Sequence, residues 1–417
     1  MSDRGLHEAD RRLTLAFKSI SLGEQLMAGI VVIGGSIMGS SLAYHMAMAG
    51  HASDLVVIEP DPTYEWAAAP RSAGGVRRMY GIPENIEMSL YGRSFYQDFA
   101  RLVDVDGEPG VFPFRELGYL HLVAGSQAVS EAEHNWRIQR ANGVANEILD
   151  RAALAERFPF LNVDDIDAGL HGPRDGFIDP HAAVIGFRRK AISLGVEYIQ
   201  DRVVGLEHDE VAVRQVVLES GRVLDAETVV NLAGAWAPAI CRMVGMDVPV
   251  APLSRPTFYF EITETIGPTP LVKDPSGIAF RTEGGGFATG LTRQDAAGEF
   301  AWEVGAREHV YFEEVMWPAL AQRVPAFAAL KVQRSWAGHY AMNQFDGNAI
   351  IGPWIGGLEN FIVAVGFSGA GLQKGPAVGR ALTELLLRGE YQSIDLHRLS
   401  YQRVLDDKPL IEVGFKA

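Results

Sequence analysis

The first strongly patterned segment is Ile30-Val31-Val32-Ile33, a β-branched run with no polar alternation. Apolar residues on both faces predict a strand buried within a parallel sheet. Gly34-Gly35-Ser36-Ile37-Met38-Gly39 follows, then a helix-forming stretch, Ser40–Ala49, that Gly50 ends. Leu55-Val56-Val57-Ile58 repeats the buried-strand pattern and stops at Glu59. Strand, helix and strand thus follow one another within about thirty residues.

Related patterns return later. Asp179-Pro180 has the form of a helix cap with proline at the first helical position, and the helix is predicted to run through Phe187 and Lys190 toward Gly195. Val203 to Leu224 alternates like a small antiparallel meander with a turn at Ser220-Gly221, and Thr228-Val229-Val230 leads into Asn231-Leu232-Ala233-Gly234-Ala235-Trp236. Phe361–Val365 reads as another buried strand, followed by the tight loop Gly366-Phe367-Ser368-Gly369-Ala370-Gly371 and a helix through Val378, Leu382 and Leu386. The intervening stretches differ in character, with strand-like runs at Thr257–Ile262 and Gly277–Arg281 and a helical stretch near Val310–Gln322. The expectation is an α/β protein: a discontinuous Rossmann-type nucleotide-binding domain over 27–112, 173–250 and 337–417, interleaved with a β-sheet-rich α+β substrate domain over 113–172 and 251–336. Residues 1–26 read either as an extension outside the main fold or as an ordered surface helix over Leu13–Ile20.

Composition narrows the function. The length of 417 residues fits two domains, and the 47% apolar content allows a large core. Lys and Arg total 37 against 52 Asp and Glu, so the formal charge is −15; this argues against nucleic acid or an anionic membrane as partner. Cys241 is the single cysteine, which removes intrachain disulfides and Cys-based metal cages and suits a reducing cytoplasm. No apolar run is long enough to span a bilayer, and Asp3, Glu8, Asp10 and Glu24 argue against a presequence, so a soluble cytoplasmic protein without a metal is expected.

The opening unit is a candidate dinucleotide site. A strand, a glycine-rich turn and a helix N-terminus direct backbone N–H groups and the helix dipole at a pyrophosphate. Gly34 supplies the turn, Gly39 close helix–strand packing, and Glu59, at the end of the next strand, an acceptor for a ribose. Ser36 stands where the pattern has its middle glycine; its hydroxyl can bond a phosphate but narrows the approach. These residues alone do not separate NAD from FAD.

Four elements together do. The opening unit, Arg71-Ser72-Ala73-Gly74-Gly75-Val76-Arg77, Asn231–Trp236 and Gly366–Gln373 resemble the D-amino-acid-oxidase superfamily, nearest the branch of sarcosine oxidases and dimethylglycine dehydrogenases, in order from about Gly29 to Leu387. The resemblance implies FAD and oxidation of the C–N bond of a small-molecule amine, amino acid or N-alkyl amino acid, with electrons passed to oxygen, a carrier protein or a quinone. Sister enzymes oxidising C–O bonds of 2-hydroxy acids or glycerol phosphate, and non-catalytic FAD-binding assembly factors, are the alternatives. The implied FAD contacts are Gly34, Ser36, Ile37, Met38, Glu59 and Pro60; Arg71, Ser72, Ala73, Gly74 and Gly75; Val203 and Val204; Ala233, Gly234 and Trp236; and Gly338, Gly369, Ala370, Gly371, Leu372 and Gln373. A helix beginning near Gly369–Gly371 would direct its positive end at the flavin edge that gains charge on reduction.

For chemistry, the resemblance implies Arg77, three residues before Tyr80, as the substrate-carboxylate anchor, with Arg78 as its competitor and a surface salt bridge as the ordinary reading of either. Ala370 and Gln373 stand where sarcosine oxidases carry a histidine and a lysine, and Gln373 can still bond a carboxylate. His339-Tyr340 fall where those enzymes carry a flavin-linking cysteine, and Arg71 falls where dimethylglycine dehydrogenases carry a flavin-linking histidine, so non-covalent FAD is implied. His339 is read as a tuner of the flavin or amine near neutral pH, or as a structural histidine. Tyr259 and Arg281 are candidate pocket residues from the second domain. Ala288 aligns with the oxygen-activating lysine of sarcosine oxidases, implying slow reaction with oxygen.

Overall fold

A computed structural model describes residues 26–108, 110, 114–291 and 300–413. The expectations for residues 1–25, including a helix over Leu13–Ile20, lie outside the described residues.

The opening apolar run extends to Leu26–Ile33 and lies inside a parallel core. On one side it pairs with Leu55–Ile58, on the other with Val223–Asn231. Among the described residues the sheet has eight strands: 350–353, 361–365, 223–231, 26–33, 55–58 and 197–199 in order, with the meander strands 203–208 and 213–218 joined to 223–231. This is the doubly wound pattern in which ligands bind outside the carboxyl ends of the strands. The helices Ile37–Met48, Pro83–Gln97, Pro180–Ser193 and Gly371–Arg388 cover one face, with Tyr44, Phe95, Phe99 and Phe187 interlocked between them. The Asp179 cap forms as expected, its carboxylate accepting from the backbone N–H groups of His181 and Ala182 at 3.0 Å each.

The second sheet also has eight strands among the described residues, in the order 331–343, 250–261, 286–291, 278–283, 271–273, 119–123, 168–172 and 147–150. The helical run predicted near Val310–Gln322 is longer, Ala306–Arg323, with a wide turn at Phe312–Met316, and packs on this sheet through Phe312, Met316 and Leu320. Lys331–Asn343 and Val250–Glu261 form one long antiparallel ribbon. Residues 337–343, grouped by sequence with the nucleotide-binding segments, therefore continue a strand of the second sheet and end at the loop after Val365, where Ser368 N–H donates to the Ala341 carbonyl and Asn343 N–H to Ser368 Oγ, both at 3.0 Å.

Candidate functional site

Where the first sheet meets the ribbon there is a cavity of about 800 Å³. Part of its wall is the turn after the first strand. Gly34 has φ +98°, and a Cβ there would lie 2.8 Å from the Leu232 carbonyl oxygen. A Cβ at Gly39 would lie 1.9 Å from the Gly34 carbonyl oxygen, so the helix sits against the turn only because no side chain intervenes. Ser36 caps the helix N-terminus in extended conformation, and its buried hydroxyl has no partner within the protein. An anion at this N-terminus would satisfy it. Ser36, Ile37 and Met38 line the cavity with Gly34, and Glu59 and Pro60 border it from the second strand.

Glu59 does more than the sequence indicated. One carboxylate oxygen accepts from Gly35 N–H at 2.8 Å and the other from Asp61 N–H at 3.0 Å, so the side chain also pins the turn it faces. Burial pushes its pKa up, partly offset by those two N–H donors.

Val203, Ala233, Gly234 and Trp236 form the outer wall of the cavity. Val204 does not reach it and is exposed. Trp236 stacks on Phe300 at 5.1 Å and on Trp302 at 5.6 Å, and Trp66 meets Trp302 edge-on at 5.0 Å. This aromatic wall was not visible in the sequence because Trp66, Trp236 and Trp302 are far apart along the chain.

Another part of the wall is formed by Gly369, Gly371 and Leu372, where the helix Gly371–Arg388 begins with no side-chain cap. Ala370 is buried directly behind them. Two helix N-termini therefore meet at the cavity, with Met38 of one beside Gly371 of the other; the first has an unpartnered hydroxyl and an acid beside it. That geometry fits an elongated dinucleotide with its pyrophosphate at Ser36 and an electron-accepting ring at Gly371.

The segment Arg71–Gly75 divides. Ser72 lines the cavity, and Arg71, Ser72 and Ala73 line a smaller one of about 60 Å³ beside it. Gly74, at φ +69°, packs on Ile178, and Gly75 pairs with Phe177; neither lines a cavity. Arg71 is fixed by donating from Nε to Glu65 at 2.5 Å and from Nη1 to Ala337 at 2.8 Å, both carbonyl oxygens. The smaller cavity is bounded by Gly338, Tyr340, Arg255, Arg281 and Ala288. Tyr340 borders both cavities, its ring filling the space a Cβ on Gly369 would need.

Arg77 is buried behind this region, with its guanidinium 4.8 Å from the Tyr80 ring centroid and 5.9 Å from that of Tyr119. Its backbone N–H donates to Gln373 Oε1 at 2.7 Å. Arg77 Nε and Gln373 Nε2 are both buried donors without an acceptor. Arg78 differs: its Nε holds Asp175 at 2.6 Å in a buried ion pair. Lys374 donates to Asn85 Oδ1 at 2.7 Å beneath the Tyr80 ring, and burial pushes its pKa down to about 7.

Three sequence candidates have other surroundings. His339 is buried against Phe300 and Trp302, and its Nε2 accepts from Ala301 N–H at 2.8 Å. Burial, and then the Arg71 charge, push its pKa down to about 4, which favours the neutral ring, and its buried Nδ1 has no partner among the described residues. Tyr259 lies outside both cavities, bonded to Glu261 at 3.2 Å and stacked on Arg334. Arg281 lines the smaller cavity but is already paired with Glu283 and donates to the Ala73 carbonyl at 2.7 Å. Ala288 lies on the same wall, where Arg255 and Arg281 supply positive charge, so the missing lysine does not leave the wall uncharged. Arg255, Tyr119 and the Trp66–Trp302 contact were missed; Arg255 sits alone between Ser254 and Pro256 with no motif around it.

Residues 29–385 match the model of the family described as FAD dependent oxidoreductase. The FAD-dependent oxidoreductase domain-containing protein 1 of Xenopus laevis is 33% identical, over 92% of this chain and 84% of that protein. The mitochondrial sarcosine dehydrogenase of Mus musculus is 25% identical over 90% of this chain but only 42% of its own length. Among solved structures, the L-proline dehydrogenase of P. horikoshii superposes with a TM-score of 0.81 over 93% of this chain and all of its own, at 24% identity. Among the described residues no helix is long and apolar enough to cross a membrane.

Proposed function

We propose, for a chain that belongs to the family of FAD-dependent oxidoreductases, that it oxidises the C–N bond of a small amino acid or N-alkyl amino acid. FAD is the cofactor, and the residues fit it: Ser36 and the first helix for the pyrophosphate, Glu59 for the ribose, and Gly371 with the helix Gly371–Arg388 for the ring. The chemistry it supplies is acceptance of a hydride from the carbon next to the substrate nitrogen.

The observation that carries the reading is the pair of buried donors, Arg77 Nε and Gln373 Nε2, which the protein itself leaves without an acceptor. They are tied together by the bond from Arg77 N–H to Gln373 Oε1. A substrate carboxylate accepts from both. Burial makes that pairing strong, since a desolvated charge without a partner is costly. Positive charge around the site also favours the neutral form of a bound amine, whose lone pair must be free as the C–H bond breaks. Loss of the hydride leaves a C=N bond, which water hydrolyses to a carbonyl compound and an amine.

The test is anaerobic addition of sarcosine, small amino acids of both configurations, and 2-hydroxy acids to the yellow protein. Bleaching of the flavin band by an amino acid supports the proposal. Bleaching by hydroxy acids alone, or by none of these, overturns it.

A further inference from the structure

We propose that Arg255 binds a second anionic group of the substrate, so that this site takes amino acids carrying two carboxylates. The second would lie on the side chain or on an N-linked arm. The inference rests on the amino-acid reading above.

Apart from Arg77, the arginines buried as whole residues among the described ones have acids. Arg78 has Asp175 at 2.6 Å, Arg323 has Asp274 at 2.6 Å, Arg403 has Asp346 at 2.8 Å, and Arg281 has Glu283. Among the described residues, neither Arg77 nor Arg255 has a carboxylate within ion-pair distance. Arg255 Nη1 is fully enclosed and has no hydrogen-bond acceptor. Arg255 is half-buried as a residue, but an enclosed guanidinium nitrogen with neither acceptor nor counter-charge is costly, which points to an anion present when the site is occupied.

The two arginines approach from different sides. Arg77 lies under Tyr80 and Tyr119 beside Gln373, on the cofactor-binding side. Arg255 comes from the ribbon, with its guanidinium 4.7 Å from the Tyr340 ring centroid and its backbone paired opposite Gly338. They still share one electrostatic neighbourhood: Lys273 is pushed well down by burial and then by the charges of Arg77 and Arg255. Arg255 faces the smaller cavity, whose walls carry three arginines and no aspartate or glutamate. At about 60 Å³ it is too small for a second amino acid. It has room for roughly four waters, or for one carboxymethyl arm reaching in past Tyr340.

The experiment titrates the FAD-loaded protein with non-oxidisable analogues and follows the flavin absorption band. Thiodiacetate carries two carboxylates and (methylthio)acetate one. Wild type is expected to bind thiodiacetate about thirtyfold or more tightly than (methylthio)acetate. Arg255→Gln should abolish that preference while leaving (methylthio)acetate within about threefold of wild type. Arg255→Lys should keep part of the preference, and Arg77→Gln should weaken both analogues. Equal affinities in wild type, or a preference that survives in Arg255→Gln, would overturn the proposal. So would loss of FAD from both Arg255 variants in an otherwise folded protein, which would assign the side chain to the cofactor. If (methylthio)acetate binds and monocarboxylic amino acids alone bleach the flavin, only the second-anion inference fails. If neither analogue binds and no amino acid bleaches it, the amino-acid reading has failed as well.

Discussion

Arg77→Ala removes a guanidinium that is 7% exposed and whose Nε has no acceptor inside the protein. If a carboxylate completes it, truncation leaves that carboxylate in a desolvated site without its main partner. Such losses run to about 2–5 kcal/mol. Gln373 Nε2 remains as a neutral donor at the same place, so the expected cost lies in the lower half, about 2–3.5 kcal/mol. That is roughly thirty- to three-hundredfold in kcat/KM. Arg77→Lys should recover only part, because an ammonium cannot reproduce a planar pair of donors. Arg78→Ala is the control: it strands the fully buried Asp175 and should lower Tm rather than select against carboxylates. The assay compares an N-methyl amino acid with the matching amine lacking a carboxylate, after the flavin spectrum confirms full cofactor loading. The Arg77→Ala defect should appear with the first and vanish with the second. A variant that retains wild-type kcat/KM for the amino acid, or loses both substrates equally, refutes the assignment.

Glu59→Ala should raise the FAD dissociation constant by about ten- to a hundredfold, because an ionised acceptor and the brace on Gly35 and Asp61 are lost together; an unchanged constant would remove Glu59 from the ribose. Acid precipitation should release all the yellow colour, since the single cysteine, Cys241, is buried against Asn231, and the resemblance puts His339-Tyr340 and Arg71 at the positions that relatives use to link flavin; colour in the pellet would contradict non-covalent binding. The buried Lys374 has a folded-state pKa of about 7 against an ordinary 10.5. Between those values the unfolded chain holds the extra proton, so stability must rise with pH. From pH 7 to 9 the wild type should gain up to about 2 kcal/mol relative to Lys374→Met in chemical denaturation, and parallel curves for the two proteins would refute this.

The strand–turn–helix opening, the Glu59 position, the Asp179 cap and the helix after the Gly366–Gly371 loop were legible because each is a local pattern with a local physical cause. Their residues are contiguous, and their geometry is set by backbone sterics and capping. The aromatic wall was not, because Trp66, Trp236 and Trp302 meet only after the two sheets have folded. The resemblance implied Arg77 through its place before Tyr80, but its bond to Gln373 joins residues 296 positions apart and has no local signal. For His339 the sequence left a tuning and a structural role open, because its surroundings, Phe300, Trp302 and the Ala301 N–H, come from outside its own strand. Arg255 had no local signature at all, since nothing in a single strand reveals which arginine will lack an acid.

The long ribbon of Val250–Glu261 and Lys331–Asn343 limits how this site can change its substrate over evolutionary time. On the Lys331–Asn343 strand the residues lining the smaller cavity, Gly338 and Tyr340, stand two apart, whereas Arg255, Pro256 and Thr257 line it consecutively. Between Gly338 and Tyr340 lies His339 with its bond to Ala301. A one-residue insertion in that strand would exchange their places and move Tyr340 off the wall. New specificity is therefore reached more easily by substitution at these few positions than by lengthening the Lys331–Asn343 strand, and a change at Arg255 bears on Tyr340, over whose ring its guanidinium lies.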